Sequence, residues 1–266
     1  MAQDNVVTPE EIGAEVYRPV PQQRISQKVD ELMARRDYPA VERTLTYWLE
    51  EARAGRDLRG RLMIRNELVG HYRKTGEREK AHESADDALR LLRRTGLEGT
   101  LSAATTFINI GTAYNSFGEN EEALTLFRQA ASILEDSPAA TPSLLGGLCN
   151  NLGLTLTALG RYEEAMSRYE AALRHMENVE YGEAERAITC LNMADTAEAQ
   201  MGAEAAEGRI NELLEAAERL LDTPTLPRNG YYAYVCEHCA PTFAYYGWFA
   251  FAQELKERAE AIYERT

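Results

Sequence analysis

Apolar residues recur three and four positions apart over most of the chain, and glycines interrupt them at regular places. Leu152, Leu156 and Leu159 precede Gly160, and Tyr162, Ala165, Met166, Tyr169, Ala172, Leu173 and Met176 follow it. This spacing lines the apolar side chains along one stripe of a helix, so the segment predicts helix, break, helix. Gly160 falls where a helix C-terminus calls for a left-handed residue, a conformation glycine adopts without the steric penalty a Cβ brings. The segment is therefore expected to be an antiparallel helical hairpin.

The same phrase recurs. Gly76, Gly118, Gly160 and Gly202 stand 42 residues apart, with Ala81, Ala123 and Ala165 five residues after the first three. Other columns keep their type: Leu68, Ile110 and Leu152; Tyr72, Tyr114 and Leu156; Ala88, Ala130 and Ala172. A fixed period of this length denotes stacked supersecondary units. The recurring alanines mark lines of close approach, because a neighbouring helix can come near only where side chains are small. Weaker copies flank the strong ones: a first hairpin breaking at Asp37, a fifth around Gly202, and a sixth with Gly247, Phe249, Ala252 and Ala259. In the fifth, Glu207 stands where alanine is expected, which predicts a distorted hairpin.

The columns Leu152, Gly153, Leu156, Gly160, Ala165, Tyr169 and Ala172, and again Ile110, Gly111, Tyr114, Gly118, Ala123, Phe127 and Ala130, resemble the tetratricopeptide repeat family. The 42-residue spacing is longer than the family's commonest unit and is similar to the long-helix repeats of kinesin light chains and bacterial peptide-sensing regulators. The resemblance implies an all-α, right-handed superhelical solenoid of about six hairpins, near 24–55, 60–95, 101–136, 142–178, 184–221 and 229–264. Residues 1–23, with Pro9, Pro19 and Pro21, are expected to form an N-terminal arm or cap. Loops rich in turn residues, at 135–143 and 221–230, separate units.

Composition fits a globular protein, 44% hydrophobic and 27% charged. Neither a signal peptide nor a membrane span is read from the sequence, and a cytoplasmic protein is expected. Charge is uneven. Residues 1–100 hold 18 Lys and Arg against 18 Asp and Glu, whereas the remainder holds 11 against 25, which accounts for the net charge of -14. The acidic remainder would repel nucleic acid and anionic lipid, and a basic or neutral partner is more easily accommodated there. Acidic outer helix faces that only keep the protein soluble would give the same balance.

The sharpest chemical motif is CEHC, Cys236 to Cys239. Cys236, His238 and Cys239 make a metal or redox site conceivable. Against it, Cys239 falls in the column of Leu68, Ile110 and Leu152, and Cys236 in that of Phe107 and Cys149, so both are expected in the core, where cysteine serves as a small apolar residue. His71, His82 and His175 have no recurring carboxylate or nucleophile beside them at helical spacing. Glu121, Glu122, Glu163 and Glu164 open second helices, where negative charge complements the dipole. Neither enzyme activity nor a cofactor is expected.

Asparagine recurs without a core reason. One column reads Asn66, Ile108, Asn150 and Asn192, and the next Glu67, Asn109, Asn151 and Met193. Asn is a poor helix former. Asn150 lies about 200° around the helix from Leu152, on a stripe pointing away from the partner helix. In proteins the chain resembles, this face lines the inner, concave surface, and similar Asn ladders hold peptide backbones. Each carboxamide offers both donor and acceptor to a main chain. Layers repeat at roughly 10 Å and an extended peptide rises about 3.3 Å per residue, so one rung meets about every third peptide residue. The expected peptide-binding face comprises Asn66, Asn109, Asn150, Asn151, Asn192, Arg73 and Asn115, with Tyr231, Tyr232 and Tyr234 as aromatic additions. Asparagines that bridge neighbouring first helices, or merely face solvent, are the alternative. The function expected is a scaffold for an extended peptide or a partner's tail. A peptide sensor acting through a separate output partner and a chain that stacks on itself as a homo-oligomer are the other readings.

Overall fold

The computed structural model describes residues 17–135 and 137–265, and among these the chain is all helix, turn and loop. The helices are α1 (Gln22–Ala34), α2 (Tyr38–Ala54), α3 (Leu58–Thr75), α4 (Arg78–Thr95), α5 (Leu101–Ser116), α6 (Asn120–Glu135), α7 (Pro142–Ala158), α8 (Tyr162–Met176), α9 (Glu183–Met201), α10 (Ala203–Leu221), α11 (Gly230–Tyr245) and α12 (Phe249–Tyr263). Odd-numbered helices are the first helices of the repeats and even-numbered ones the second. The chain forms two compact units, Met1–Phe117, which holds α1 to α5, and Gly118–Thr266, which holds α6 to α12. Among the described residues no helix is long and apolar enough to cross a membrane.

The glycine column sets the turns. Gly76 adopts φ 75°, ψ 18°, its N–H donates to the Arg73 carbonyl, and the Glu77 N–H donates to that of Tyr72. These bonds satisfy carbonyls that the end of α3 would leave unpaired. Gly118, Gly160, Gly202 and Gly247 also have positive φ. The first hairpin has no glycine here, and Arg36 takes φ 55°, as Arg56 does before α3. Each arginine precedes an aspartate that caps the next helix: Asp37 accepts from the Ala40 N–H and Asp57 from the Gly60 N–H. The capping bonds offset the cost of a left-handed non-glycine residue.

Asp57 also holds the N-terminal segment. Its Oδ2 accepts from the Val20 N–H at 3.0 Å, while the Arg18 N–H donates to the Gly55 carbonyl. Residues 17–21 are thereby fixed along the α2–α3 turn, and Val20 joins a core of Ile25, Val29, Leu45, Ile64 and Leu68. The rest of the expected arm, residues 1–16 with Pro9, lies outside the described residues.

In the fifth hairpin the departure from the other repeats lies in the turn, where Gly202 has φ 81° and ψ 155°. Gly202 both ends α9 and starts α10, so the second helix begins one residue after the glycine rather than two residues after it, as at Gly76 and Gly160. The alanine column moves with it: Ala206 is fully buried, and Glu207 is exposed rather than occupying an alanine's place. Helix α10 runs 19 residues with Ile210, Leu213, Leu214 and Ala217 buried behind Ala206.

Alanines at the other close approaches are equally inaccessible: Ala81, Ala88, Ala123, Ala130 and Ala165 are fully buried. Gly153 has a related role. A Cβ there would lie 2.4 Å from Cε1 of the fully buried Tyr169 ring, so only glycine lets α8 seat this aromatic against α7.

Candidate functional site on the first helices

In the Gly118–Thr266 unit the surfaces between successive first helices are polar. Asn150 on α7 accepts through Oδ1 from Asn192 Nδ2 at 3.1 Å and from the Thr189 hydroxyl at 3.2 Å, both on α9. Two turns further along α7, the hydroxyls of Thr157 and Thr196 are hydrogen-bonded at 2.8 Å. Asn150 and Asn192 therefore meet as a strut between α7 and α9. Both asparagines are half-buried.

The α9–α11 seam uses different chemistry. Tyr231 donates to Glu185, Tyr245 donates to Glu198 at 3.0 Å, and Tyr246 donates to Asp195 at 2.9 Å and to Glu198. Burial together with these two carboxylates holds the Tyr246 hydroxyl well above the ordinary tyrosine range, so it stays a donor. Along α11, the rings of Tyr231 and Tyr234 stack at 6.3 Å, and Tyr234 stacks on His238 at 6.0 Å. Tyr231, Tyr234 and Tyr245 remain 47%, 48% and 69% exposed. Exposed aromatics this regular on one face are unusual for side chains that bury readily elsewhere.

A hollow lies at each end of this seam. One, of about 320 Å³, is lined by Tyr181, Glu185, Leu226, Pro227 and Tyr231. Tyr181 holds φ 60°, a left-handed backbone that costs energy for a non-glycine residue. The other, of about 500 Å³, is lined by Asp195, Glu198, Pro241, Thr242 and Tyr245. From Tyr231 to Tyr245 the helix rises about 21 Å, the reach of roughly six residues of extended peptide.

In the Met1–Phe117 unit, Asn66 on α3 donates through Nδ2 to the Thr106 hydroxyl on α5 at 2.9 Å, a strut like that of Asn150. Asn109 and Asn115 are half-buried on α5, and Arg73 is exposed in the last turn of α3. Asn151 is half-buried on α7 of the other unit. Its column runs into a partly desolvated setting: Met193 is buried, and burial, with Asp30 nearby, pushes the Glu67 carboxyl above its usual range.

The CEHC segment lies in the core. Cys236 and Cys239 are fully buried, while His238 is exposed between them. Burial pushes the Cys236 thiol up to about 11 and that of Cys239 higher still, so both are protonated near neutral pH and are poor ligands and nucleophiles.

The sequence pattern did not reveal Glu185, Asp195, Glu198, Tyr245 or Tyr246, because the tyrosine–carboxylate pairs join residues 46 to 51 positions apart. Aromatic spacing along 231–245 was the available signal.

A family model for the tetratricopeptide repeat matches residues 60–136, and another matches residues 147–179. Over these residues the chain carries tetratricopeptide repeats, similar to those of kinesin-light-chain-related proteins. The protein named KINESIN LIGHT CHAIN-RELATED 1 of Arabidopsis thaliana is 32% identical over 108 residues, 40% of this chain and 17% of that protein. KINESIN LIGHT CHAIN-RELATED 3 of the same plant is 27% identical over 107 residues, 40% of this chain and 16% of that one. The chain thus spans about a sixth of these relatives' length. The crystal structure of BtubC (BKLC) from P. vanneervenii superimposes with a TM-score of 0.64 at 21% identity, covering 78% of this chain and 84% of that one, and it shares the helical-repeat solenoid fold.

Proposed function

We propose that the chain is a protein-interaction scaffold whose first-helix face on α7, α9 and α11 holds an extended segment of a partner protein. The observation that carries this reading is the exposed Tyr231–Tyr234–His238 stack beside Glu185, Asp195 and Glu198. Aromatic faces take cationic side chains through their quadrupole, and carboxylates at the rim reinforce that preference. The partner segment is accordingly basic or neutral, with an Arg or Lys over the α11 rings and an apolar residue in the hollow at Leu226. The carboxamides of Asn150 and Asn192 would pair with its backbone. Asn66, Asn109, Arg73 and Asn115 are proposed, within the Met1–Phe117 unit by itself, as peptide-contacting residues of its own first helices. The scaffold is non-catalytic and cytoplasmic in this reading.

A random peptide display library panned on the full chain tests it. Selected peptides should be enriched in Arg or Lys, and Tyr234→Ala should weaken them about tenfold, within the range of one lost cation–π contact and its buried area. Enrichment of acidic peptides, or undiminished binding by Tyr234→Ala, would place recognition elsewhere.

A further inference from the structure

Away from that face, three metal-ligating side chains converge in the Met1–Phe117 unit. Glu42 comes from α2, His71 from the last two turns of α3, and Glu77 from the turn that opens α4, and one ligand atom of each lies within 4.8 Å of the other two. His71 is only 3% exposed, and its buried Nδ1 has no hydrogen-bond partner among the described residues. A buried imidazole nitrogen without a partner is costly, and native structures seldom retain one without a reason.

The carboxylates, by contrast, are held in place. The Tyr72 hydroxyl donates to Glu42 Oε1 at 3.0 Å, and the Thr75 hydroxyl donates to Glu77 Oε1 at 3.0 Å. Such bonds orient ligating carboxylates around a metal. A cation already stands between them: the Lys80 ammonium lies 2.9 Å from Glu42 Oε1 and 2.6 Å from Glu77 Oε2. Lys80 is half-exposed on a flexible stem and can leave without disturbing the core. It neutralises the carboxylates, yet among the described residues His71 Nδ1 still has no hydrogen-bond partner.

We propose that Glu42, His71 and Glu77 form a binding site for a divalent transition-metal ion of the zinc type, in which the metal displaces the Lys80 ammonium and takes up the unsatisfied imidazole. One nitrogen and two carboxylate oxygens suit zinc or cobalt better than calcium or magnesium, which favour all-oxygen shells. Three protein ligands leave a fourth position for water. The ion would tie α2, α3 and the start of α4 together at one point.

Cobalt(II) added to the purified full chain is a spectroscopic probe of this site. The Lys80→Ala variant should bind one equivalent with the visible absorption of four-coordinate cobalt, and at least about tenfold more tightly than wild type, because the competing cation is gone. Zinc should displace the cobalt and raise the melting temperature. Glu77→Gln, introduced beside Lys80→Ala, keeps the side chain's shape at a half-exposed position and should weaken binding by at least about tenfold, as should His71→Ala. Replacing Cys236 and Cys239 by alanine should leave the spectrum unchanged. Failure of Lys80→Ala to bind cobalt, binding that survives Glu77→Gln, or a thiolate-to-cobalt charge-transfer band would each overturn the proposal, the last by moving the metal to the CEHC segment.

Discussion

Buried charge is the sharpest residue-scale feature of the Met1–Phe117 unit. Arg65 and Asp87 are 7% and 9% exposed and meet at 2.8 Å between α3 and α4, with the Arg65 guanidinium also reaching Ser84 Oγ and with Arg61 and Arg90 close to the same carboxylate. Removing one partner leaves an uncompensated buried charge, so Asp87→Ala should cost about 3–5 kcal/mol, read as a lowered denaturation midpoint. Burial pushes the Asp87 carboxyl up, but the Arg65 hydrogen bond and the surrounding guanidinium charge outweigh it, and the group sits below its ordinary 3.8. A carboxyl depressed on folding adds stability that is complete above its unfolded value and lost as the pH falls through its folded one. Wild type should therefore lose stability between about pH 5 and pH 3, while Asp87→Asn, already weakened, should lose less over the same interval. Equal slopes for the two would assign the acid sensitivity to other carboxylates.

At the scale of elements, packing between paired helices rests on small residues, and Gly153 is the clearest case. Its Cβ position is filled by the Tyr169 ring, so Gly153→Ala must push α7 from α8 or drive Tyr169 off its rotamer, at about 1–3 kcal/mol in thermal unfolding. The better helix propensity of alanine, about 1 kcal/mol, offsets only part of this. Such packing was legible beforehand, because the 42-residue register put glycines and alanines in fixed columns and each column has one physical role. The register was misleading where a turn changed length: at Gly202 one residue is missing, and the alanine column slid from 207 to 206. The polar contacts of the first helices were less legible. Pairs such as Asn150 with Asn192, or Tyr246 with Asp195, join residues on successive first helices. Their spacing reflects the stacking of hairpins, not the 3.6-residue period that sequence inspection detects. His71 illustrates the same limit: its neighbouring carboxylates, Glu42 and Glu77, arrive from other elements.

The struts make two roles of the asparagines separable by experiment. If Asn150 and Asn192 hold α7 to α9, the double change to alanine removes a bridging hydrogen bond worth about 0.5–1.5 kcal/mol, partly offset by alanine's better helix propensity. A small loss of stability, well under 2 kcal/mol, should then accompany weaker binding of the selected peptides if the same amides also face a ligand. Loss of stability with unchanged binding would make them struts alone.

For the whole molecule, charge distribution determines what can approach. Residues 101–266 carry 11 Lys and Arg against 25 Asp and Glu, and this stretch includes α7, α9 and α11 with Glu185, Asp195 and Glu198 on the proposed face. A field of this sign steers a basic segment inward and slows an acidic one, chiefly through the association rate. Screening acts over about 10 Å at 0.1 M salt and about 3 Å at 1 M, so most steering disappears over that interval, whereas short contacts such as a ring-stacked guanidinium survive. Association of a selected Arg- or Lys-containing peptide, followed by stopped-flow fluorescence, should therefore slow by about tenfold or more between these salt concentrations, with a smaller change in dissociation. Neutralising Glu198 to glutamine should reduce the salt dependence without abolishing binding, because the amide oxygen keeps the bond from one tyrosine, Tyr245, and Tyr246 still donates to Asp195. An association rate indifferent to salt would mean that the acidic surface serves solubility alone, and the partner segment would then be neutral, held by the Asn edges and the hollow at Leu226 rather than by charge.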